Sequence, residues 1–494
     1  MPAPIYLTKS RYTAGLQCLL RLWLDVHDPG EREEPKPGSA ADVGNEIGRM
    51  AHLLFPGGAL VEEKPWEHEA AVERTSALMA NRAVPAIFEA AFEHRDVRVR
   101  IDILERLPGG WWGIREVKSS GDVKDHHYDD VAVQLHVARS SGARISSVEV
   151  LHVDKDYVRG TTGVSWPDFF RRADVRVEAT SRLAGIEARL KAQIASLSRS
   201  KAPAVEPEAH CHAPYSCGHW ERCIATKPAD WIYHLPRLRA EKREELKKLG
   251  IKSISVIPEE FPLSKGQAVI RDATKSGRTF VAPDLADRLD AFGPPAVYLD
   301  FETFMPAVPV YPGTRPFEVI PFQWSLHRVD GRRKGTHREF LADGGTDPRR
   351  AFAETLIAAL EETADPIIVY SAYEQTRLKE LAAAFPDLRK PIASILARLS
   401  DLLPAVRACV YHPGFRFSHS IKSVAPALCP DVTYEDLDEI ADGESASMAF
   451  WLIASGRADA PTAKRLRRAL RAYCKRDTWA MVRLHQALRD LAAR

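Results

Sequence analysis

The sequence predicts two α/β domains, residues 1–225 and 294–494, joined by a mostly helical connector over residues 226–293. Three observations predict this. Stretches of strand period and helix period alternate in both halves of the chain. At 494 residues the chain is longer than one ordinary domain. Two punctuation marks divide it: a cysteine cluster, Cys211–Cys223, and the step Pro294-Pro295.

The elements follow in order. A helical segment runs from Lys9 to about Ala90, interrupted by a polar Gly/Pro-rich stretch around Pro29–Pro37. Val97, Val99, Ile101 and Ile103 alternate with polar residues, and the turn Pro108-Gly109-Gly110 leads into a second strand, Trp111–Val117. A helix carrying Val131, Leu135 and Val137 comes next, then the strand Val148–Val153 and an amphipathic helix around Leu183–Leu197. The connector holds the charged helix Leu238–Leu249. The last domain opens with the strand Ala296–Phe301, continues through the strand Ile367–Tyr370 and a helix from Glu374 to Ala384, and closes with a long basic helix, Pro461–Ala492.

Hydrophobic residues make up 45% and charged residues 28%, the mixture of a globular protein. The formal charge of +2 is too small for the whole chain to act as an electrostatic clamp, so nucleic-acid binding must rest on local basic clusters. The sequence opens without a charged-then-apolar leader and holds no apolar run of membrane-spanning length, which leads us to expect a cytoplasmic protein with no membrane partner. Seven cysteines in a reducing compartment suggest metal ligation or buried thiols, not a disulfide scaffold.

The first constellation is Asp102, Glu116 and Lys118. The period of a strand puts Glu116 and Lys118 on one face, and a hairpin can bring Asp102 alongside. Two carboxylates can then hold Mg²⁺ or Mn²⁺ through oxygen, while the Lys118 ammonium positions water or stabilises phosphate charge. The motif E-x-K is common, and its surroundings give it weight. The arrangement, over roughly Leu7 to Cys223, resembles the PD-(D/E)XK nuclease superfamily in its RecB-like branch, which includes CRISPR-associated exonucleases with an iron–sulfur cluster. The resemblance implies a metal-binding histidine in an upstream helix, matched by Gly48-Arg49-Met50-Ala51-His52, and a catalytic glutamine after the lysine strand, matched by Gln134. The tyrosine of the family's Q-x-x-x-Y pattern is replaced by Ala138.

The second constellation is Cys211-x5-Cys217-x5-Cys223 together with the distant Cys18. One distant and three clustered cysteines flanking a RecB-like core resemble the layout of the iron–sulfur members, which implies a [4Fe–4S] cluster on four thiolates that staples the two ends of the domain. Zn²⁺ is the alternative, with His210, His212 and His219 close in sequence. Cys409, Cys429 and Cys474 are flanked by apolar residues and read as buried thiols.

The third constellation lies in the last domain. Asp300 and Glu302 end an apolar strand at alternate positions and therefore face one side. This pair resembles the first motif of the DnaQ-like, ribonuclease H-fold 3′–5′ exonucleases. That resemblance implies four acids holding two divalent ions. Glu374 stands where the family usually has aspartate, and Tyr473-x3-Asp477 matches the third motif, with Tyr473 orienting the attacking water. Asp401-Leu402-Leu403 and His419–Val424 match the intermediate helices.

Nearly the full length resembles bacterial fusions of a RecB-like, cysteine-containing domain with a ribonuclease H-like exonuclease. What this implies is a two-site, metal-dependent DNA nuclease acting on single strands or exposed ends in repair or defence. Two alternatives stand beside it: a nucleic-acid-binding scaffold with reduced catalysis, and a nuclease acting on RNA. Arg465-Leu466-Arg467-Arg468 and Arg237–Lys248 are the candidate phosphate-tracking clusters. Trp111, Trp112, Trp220 and Tyr373 are the candidate stacking residues.

Overall fold

The computed structural model describes residues 6–30, 37–330, 335–437 and 439–494. It separates into two compact units, residues 1–226 with 306–318 and residues 227–305 with 319–494. Both are mixed α/β. No described helix is long and apolar enough to cross a membrane. The stretch read in sequence as a connector belongs to the second unit, because its apolar residues Leu246, Ile254, Ile270, Leu285 and Leu289 are buried there. Most of the Gly/Pro-rich stretch around Pro29–Pro37 lies outside the described residues.

The first unit is built on one sheet of seven strands: β1 (Leu7–Thr8), β2 (Ala59–Leu60), β3 (Ala86–His94), β4 (Val97–Leu107), β5 (Trp111–Lys118), β6 (Ile145–Val153) and β7 (Phe170–Asp174). Strands β3, β4 and β5 form successive antiparallel hairpins, β6 runs parallel to β5, and β1 lies parallel on β4. The predicted alternation holds on β4, where Val97, Val99, Ile101 and Ile103 are all buried. The β4–β5 turn uses Gly109 and Gly110, both at positive φ (73° and 74°), a conformation glycine adopts without steric cost. The helix Asp125–Ser140 crosses from β5 to β6 and buries Val131, Gln134, Leu135 and Val137.

Two elements differ from expectation here. The helical reading to Ala90 fails at β3, whose alanine-rich run is a strand buried on both faces and so lacks the alternation that marks a half-buried one. The helix expected over Leu183–Leu197 begins at Ile186, after Gly185 at φ 72°.

In the second unit, β8 (Phe280–Val281) pairs with β14 (Val410–Tyr411). The main sheet contains β9 (Ala296–Phe304), β10 (Ile320–Val329), β11 (Gly335–Leu341), β12 (Ile367–Val369) and β13 (Leu399–Asp401), in the order β11-β10-β9-β12-β13. Strand β10 is antiparallel to both neighbours, whereas β12 is parallel to β9 and β13. One face of β9 puts Val297, Leu299 and Phe301 into a core with Phe352, Leu356, Leu378 and Ile392 from three helices. The other face carries Tyr298, Asp300 and Glu302 toward the terminal helix Ala460–Ala492. That helix is capped by Asp459, which accepts a hydrogen bond from the Thr462 N–H.

Candidate functional site

Strands β4 and β5 bring Asp102, Glu116 and Lys118 together, as the hairpin reading requires. Asp102 Oδ2 accepts from the Val117 N–H at 2.7 Å. Glu116 is 1% exposed, and donors surround it. Lys9 and Lys118 both reach its Oε1 at 2.8 Å, and Gln134 Nε2 donates to its Oε2 at 2.7 Å. Although burial alone would raise the Glu116 carboxyl, the two ammonium groups hold it well below the usual range. Asp102 goes the other way. Burial and the nearby Glu116 push it up to about 7, against the pull of Lys9.

Lys9 Nζ also lies 3.7 Å from Asp102 Oδ1, so its ammonium sits between the two acids. Lys118 is shared with Asp130 Oδ2 at 2.5 Å. Glu89, between Phe88 and Ala90, which pair with Ile103 and Ile101 on β4, takes φ 56°, unusual for a residue with a side chain. Burial raises its carboxyl, and Lys9 opposes the shift. Sequence reasoning missed Lys9, Glu89 and Asp130. The signal for Lys9 was its place at the start of the first helix, directly after the strand that pairs with the Asp102 strand.

Gln134 meets Glu116. The His52 ring stacks on Phe88, with centroids 3.9 Å apart and planes at 5°, and His52, Asp102 and Glu116 do not form a triad of ligand atoms within 4.8 Å of one another. At the position of the missing tyrosine, Ala138 is fully buried in the core. Tyr215, from the cysteine loop, hydrogen-bonds His126 Nε2 at 2.6 Å, and the charges of Lys118 and Asp130 act on its hydroxyl.

The four cysteines converge. Cys18 breaks the chain between the helices Lys9–Gln17 and Leu19–His27, capping the second through its sulfur. Gln17 Nε2 donates to the carbonyls of His210 and Tyr215, both at 2.7 Å, which ties this break to the cysteine loop. Burial raises the thiols of Cys211 and Cys223, and the charge of the other cysteines, Cys18 among them, adds to both shifts. No three of the four sulfurs lie within 4.8 Å of one another. His219 pairs with Asp25 at 2.8 Å and His212 packs on Trp220, so each has a partner within the protein.

In the second unit, Asp300, Glu302, Glu374, Asp477 and Tyr473 all line one cavity of about 370 Å³. Among its lining residues Lys422 is the sole lysine or arginine. Asp300, Glu302 and Cys474 offer ligand atoms within 4.8 Å of one another, the one such triad among the described residues. Cys474 is fully buried, as expected, but its sulfur lies 3.7 Å from Asp300 Oδ2 and so belongs to the site. Tyr434 donates to Asp477 Oδ1 at 2.7 Å, and Lys422 Nζ donates to the Tyr473 hydroxyl at 2.9 Å.

Burial pushes Asp300 and Glu302 well above the carboxylate range, and the charge of Asp477 adds to both. Glu374, on the first turn of the helix Tyr373–Ala384, is pushed up to about 7 by burial, with Asp401 adding to the shift. Its Oε2 is buried without a hydrogen-bond partner. These carboxyls have no matching set of cations. Hard oxygen donors with raised proton affinity and an orphan oxygen suit a divalent ion. Lys422, Tyr434 and Asp401 were not assigned roles from sequence, though Lys422 and Asp401 lay in stretches matched to intermediate helices.

A larger cavity of about 1170 Å³ opens on Asp300 and Glu374. Arg237, Lys265 and Arg407 line it with Tyr411 and Phe417. Part of its wall is the stretch 236–284. Of the other expected binders, Arg465 pairs with Glu439, and Arg467 donates to the carbonyls of Ala342 and Asp343. Trp112 is buried beneath Arg106, and Trp111 carries Arg144 on its face. Tyr373 is 40% exposed and lines the acid cavity.

A family model described as a domain of unknown function (DUF2779) matches residues 297–420. The match takes in Asp300, Glu302 and Glu374 and ends before Tyr473 and Asp477. No curated protein matches the chain.

Proposed function

We propose that this protein is a metal-dependent nuclease with a 3′–5′ exonuclease centre in the second unit and a further phosphodiesterase centre in the first. DNA, as single strands or exposed ends, is its substrate. The observation that carries the reading is the convergence of four carboxyls, the buried Glu302, Glu374 and Asp477 and the part-buried Asp300, with Tyr473 on one cavity that a single lysine lines. The sheet supports it: the order 3-2-1-4-5, with the second strand antiparallel, fits a ribonuclease H-like fold. In the first unit, a helix, three antiparallel strands, a crossover helix and a parallel strand fit the PD-(D/E)XK reading.

Divalent ions held by Asp300, Glu302, Glu374 and Asp477 would stabilise the attacking and leaving oxygens of an in-line displacement. The protein's own groups do the rest. Tyr473, kept protonated by burial and the surrounding acids, offers a hydroxyl to orient water, and Lys422 fixes that hydroxyl. Arg237, Lys265 and Arg407 face the phosphates of an incoming strand, and the part-buried Phe417 supplies ring surface for a base.

In the first unit, Asp102 and Glu116 supply the metal oxygens and Lys118 the positive charge beside the phosphate. Lys9 holds the place of a cation between the acids. The charges of Cys18, Cys211, Cys217 and Cys223 act on one another, and four thiolates suit a [4Fe–4S] cluster, with Zn²⁺ as the alternative. Seven unbridged thiols fit a reducing, cytoplasmic setting.

The test is degradation of 5′-labelled single-stranded DNA and RNA with Mg²⁺ or Mn²⁺ by the parent, Asp300→Ala and Lys118→Ala. A shrinking DNA ladder lost in Asp300→Ala, with residual cutting lost in Lys118→Ala, supports both centres. Cutting of RNA alone changes the substrate. Binding without cutting under either metal replaces the nuclease with a scaffold.

A further inference from the structure

A separate cavity of about 710 Å³ lies in the second unit, between the terminal helix and β9–β11. It shares no lining residue with the acid cavity. Its chemistry is the reverse of that site. Among the described residues no aspartate or glutamate lines it, while Lys475, Arg476 and Arg489 do, with three histidines. Arg476 is committed to Asp436 at 2.8 Å. Lys475 and Arg489 are exposed and have no carboxylate partner among the described residues, Arg489 donating to the Gly293 carbonyl at 2.7 Å. Two cations without a paired carboxylate, in a cavity that no described acid lines, select an anion.

A second set of groups selects more than charge. Trp479 is 40% exposed on the cavity wall, and its ring lies 5.6 Å from that of His327. His485 is 1% exposed, and its Nδ1 is engaged with the Tyr298 hydroxyl at 2.8 Å. Its Nε2 is buried with no partner. A buried polar nitrogen left unmatched costs stability, and a hydrogen-bonding ligand in the cavity removes that cost. The volume falls within the usual range of small-molecule sites.

We propose that this cavity binds a nucleoside monophosphate, its phosphate facing Lys475 and Arg489, its base stacked on Trp479 and hydrogen-bonded by His485 Nε2. The site goes beyond the nuclease reading and does not depend on it. It has a route to the acids all the same. Tyr298 precedes Asp300 by two residues on the same face of β9, and Lys475 and Trp479 flank Asp477 on the terminal helix. A ligand here therefore touches two of the three elements that carry the acids.

The experiment is calorimetric titration of the full chain in EDTA with dAMP, AMP, adenosine and inorganic phosphate. EDTA keeps divalent ions from bringing nucleotides to the acids. Saturable binding of dAMP or AMP is expected, weakened about tenfold or more in Trp479→Ala and in Lys475→Ala/Arg489→Ala, and restored in Trp479→Phe. Melting curves confirm that each variant is folded. Three results overturn the proposal: no nucleotide binding, equal binding by every folded variant, or phosphate binding as tightly as dAMP. Loss of nuclease activity with nucleotide binding intact would break the proposed function and leave this site standing.

Discussion

Glu116 in the first unit and Asp300 in the second are both carboxyls at the core of an acid cluster, yet they meet opposite surroundings. Glu116 receives two ammonium groups and an amide within 2.8 Å. Asp300 and its three companions share a cavity with a single lysine, and that lysine is spent on Tyr473 and the Ala441 carbonyl. A buried carboxylate must be paired, protonated or bound to metal. The first unit brings its own counter-charge on Lys9 and Lys118. The second leaves the charge open, so protons or divalent ions must complete it.

The largest effect should come from the open cluster. Asp300→Asn is expected to lower 3′-end degradation at least about 10³-fold with Mn²⁺ present, since it removes one of the carboxylates that would hold the ions. A loss of less than tenfold would remove Asp300 from the centre.

Next comes the built-in cation. Lys9→Gln leaves Glu116 buried with less compensation and should destabilise the metal-free first unit by about 3 kcal/mol, read from the shift of its calorimetric transition. Mn²⁺ should recover part of that loss. If the transition does not move, Lys9 is not the counter-charge.

A smaller effect follows from pH. Glu374 is raised from an ordinary 4.5 to about 7, and Asp300 and Glu302 also lie well above their usual values. The folded state thus holds protons that the unfolded chain has released. Stability falls as pH climbs from about 4.5 through 7. The second unit in EDTA should therefore melt lower at pH 8 than at pH 5, by roughly 1–3 kcal/mol of stability. Glu302→Gln should flatten that slope while abolishing activity. Melting that is independent of pH would mean the acids are already compensated.

The smallest effect is Tyr473→Phe. The ring and the packing stay, while the hydroxyl on Lys422 and Asp477 is lost. We expect a rate reduction of about tenfold with an unchanged melting temperature, measured on the same labelled strand. An unchanged rate would make Tyr473 a packing residue.

How much of this was legible in the sequence follows the same physical lines. Strand alternation located β4 and β5, and with them Asp102, Glu116 and Lys118, because side-chain period is a local property. The apolar run of β9 ending in two acids was equally local. β3 was misread because it is buried on both faces, and an alanine-rich run without alternation looks helical. Lys9, Tyr434 and Lys422 reach their sites through tertiary packing from distant positions, which no spacing rule encodes. The stretch 227–293 looked like a connector because its elements are short. Its burial, and its place in the wall of the larger cavity, depend on partners more than 100 residues away, such as β14 for β8. His52 shows a related limit: its motif position was legible, whereas the stacking of its ring on Phe88 was not.

The open charge of the second cluster is tested most directly by calorimetric titration of Mn²⁺ at pH 8 into the metal-free parent and into the Asp300→Asn/Glu302→Gln double variant. The parent is expected to bind more Mn²⁺ than the variant, and the variant to melt higher in EDTA. Equal Mn²⁺ binding by the two proteins, with no gain in the variant's melting temperature, would contradict the claim that these carboxylates await a divalent ion.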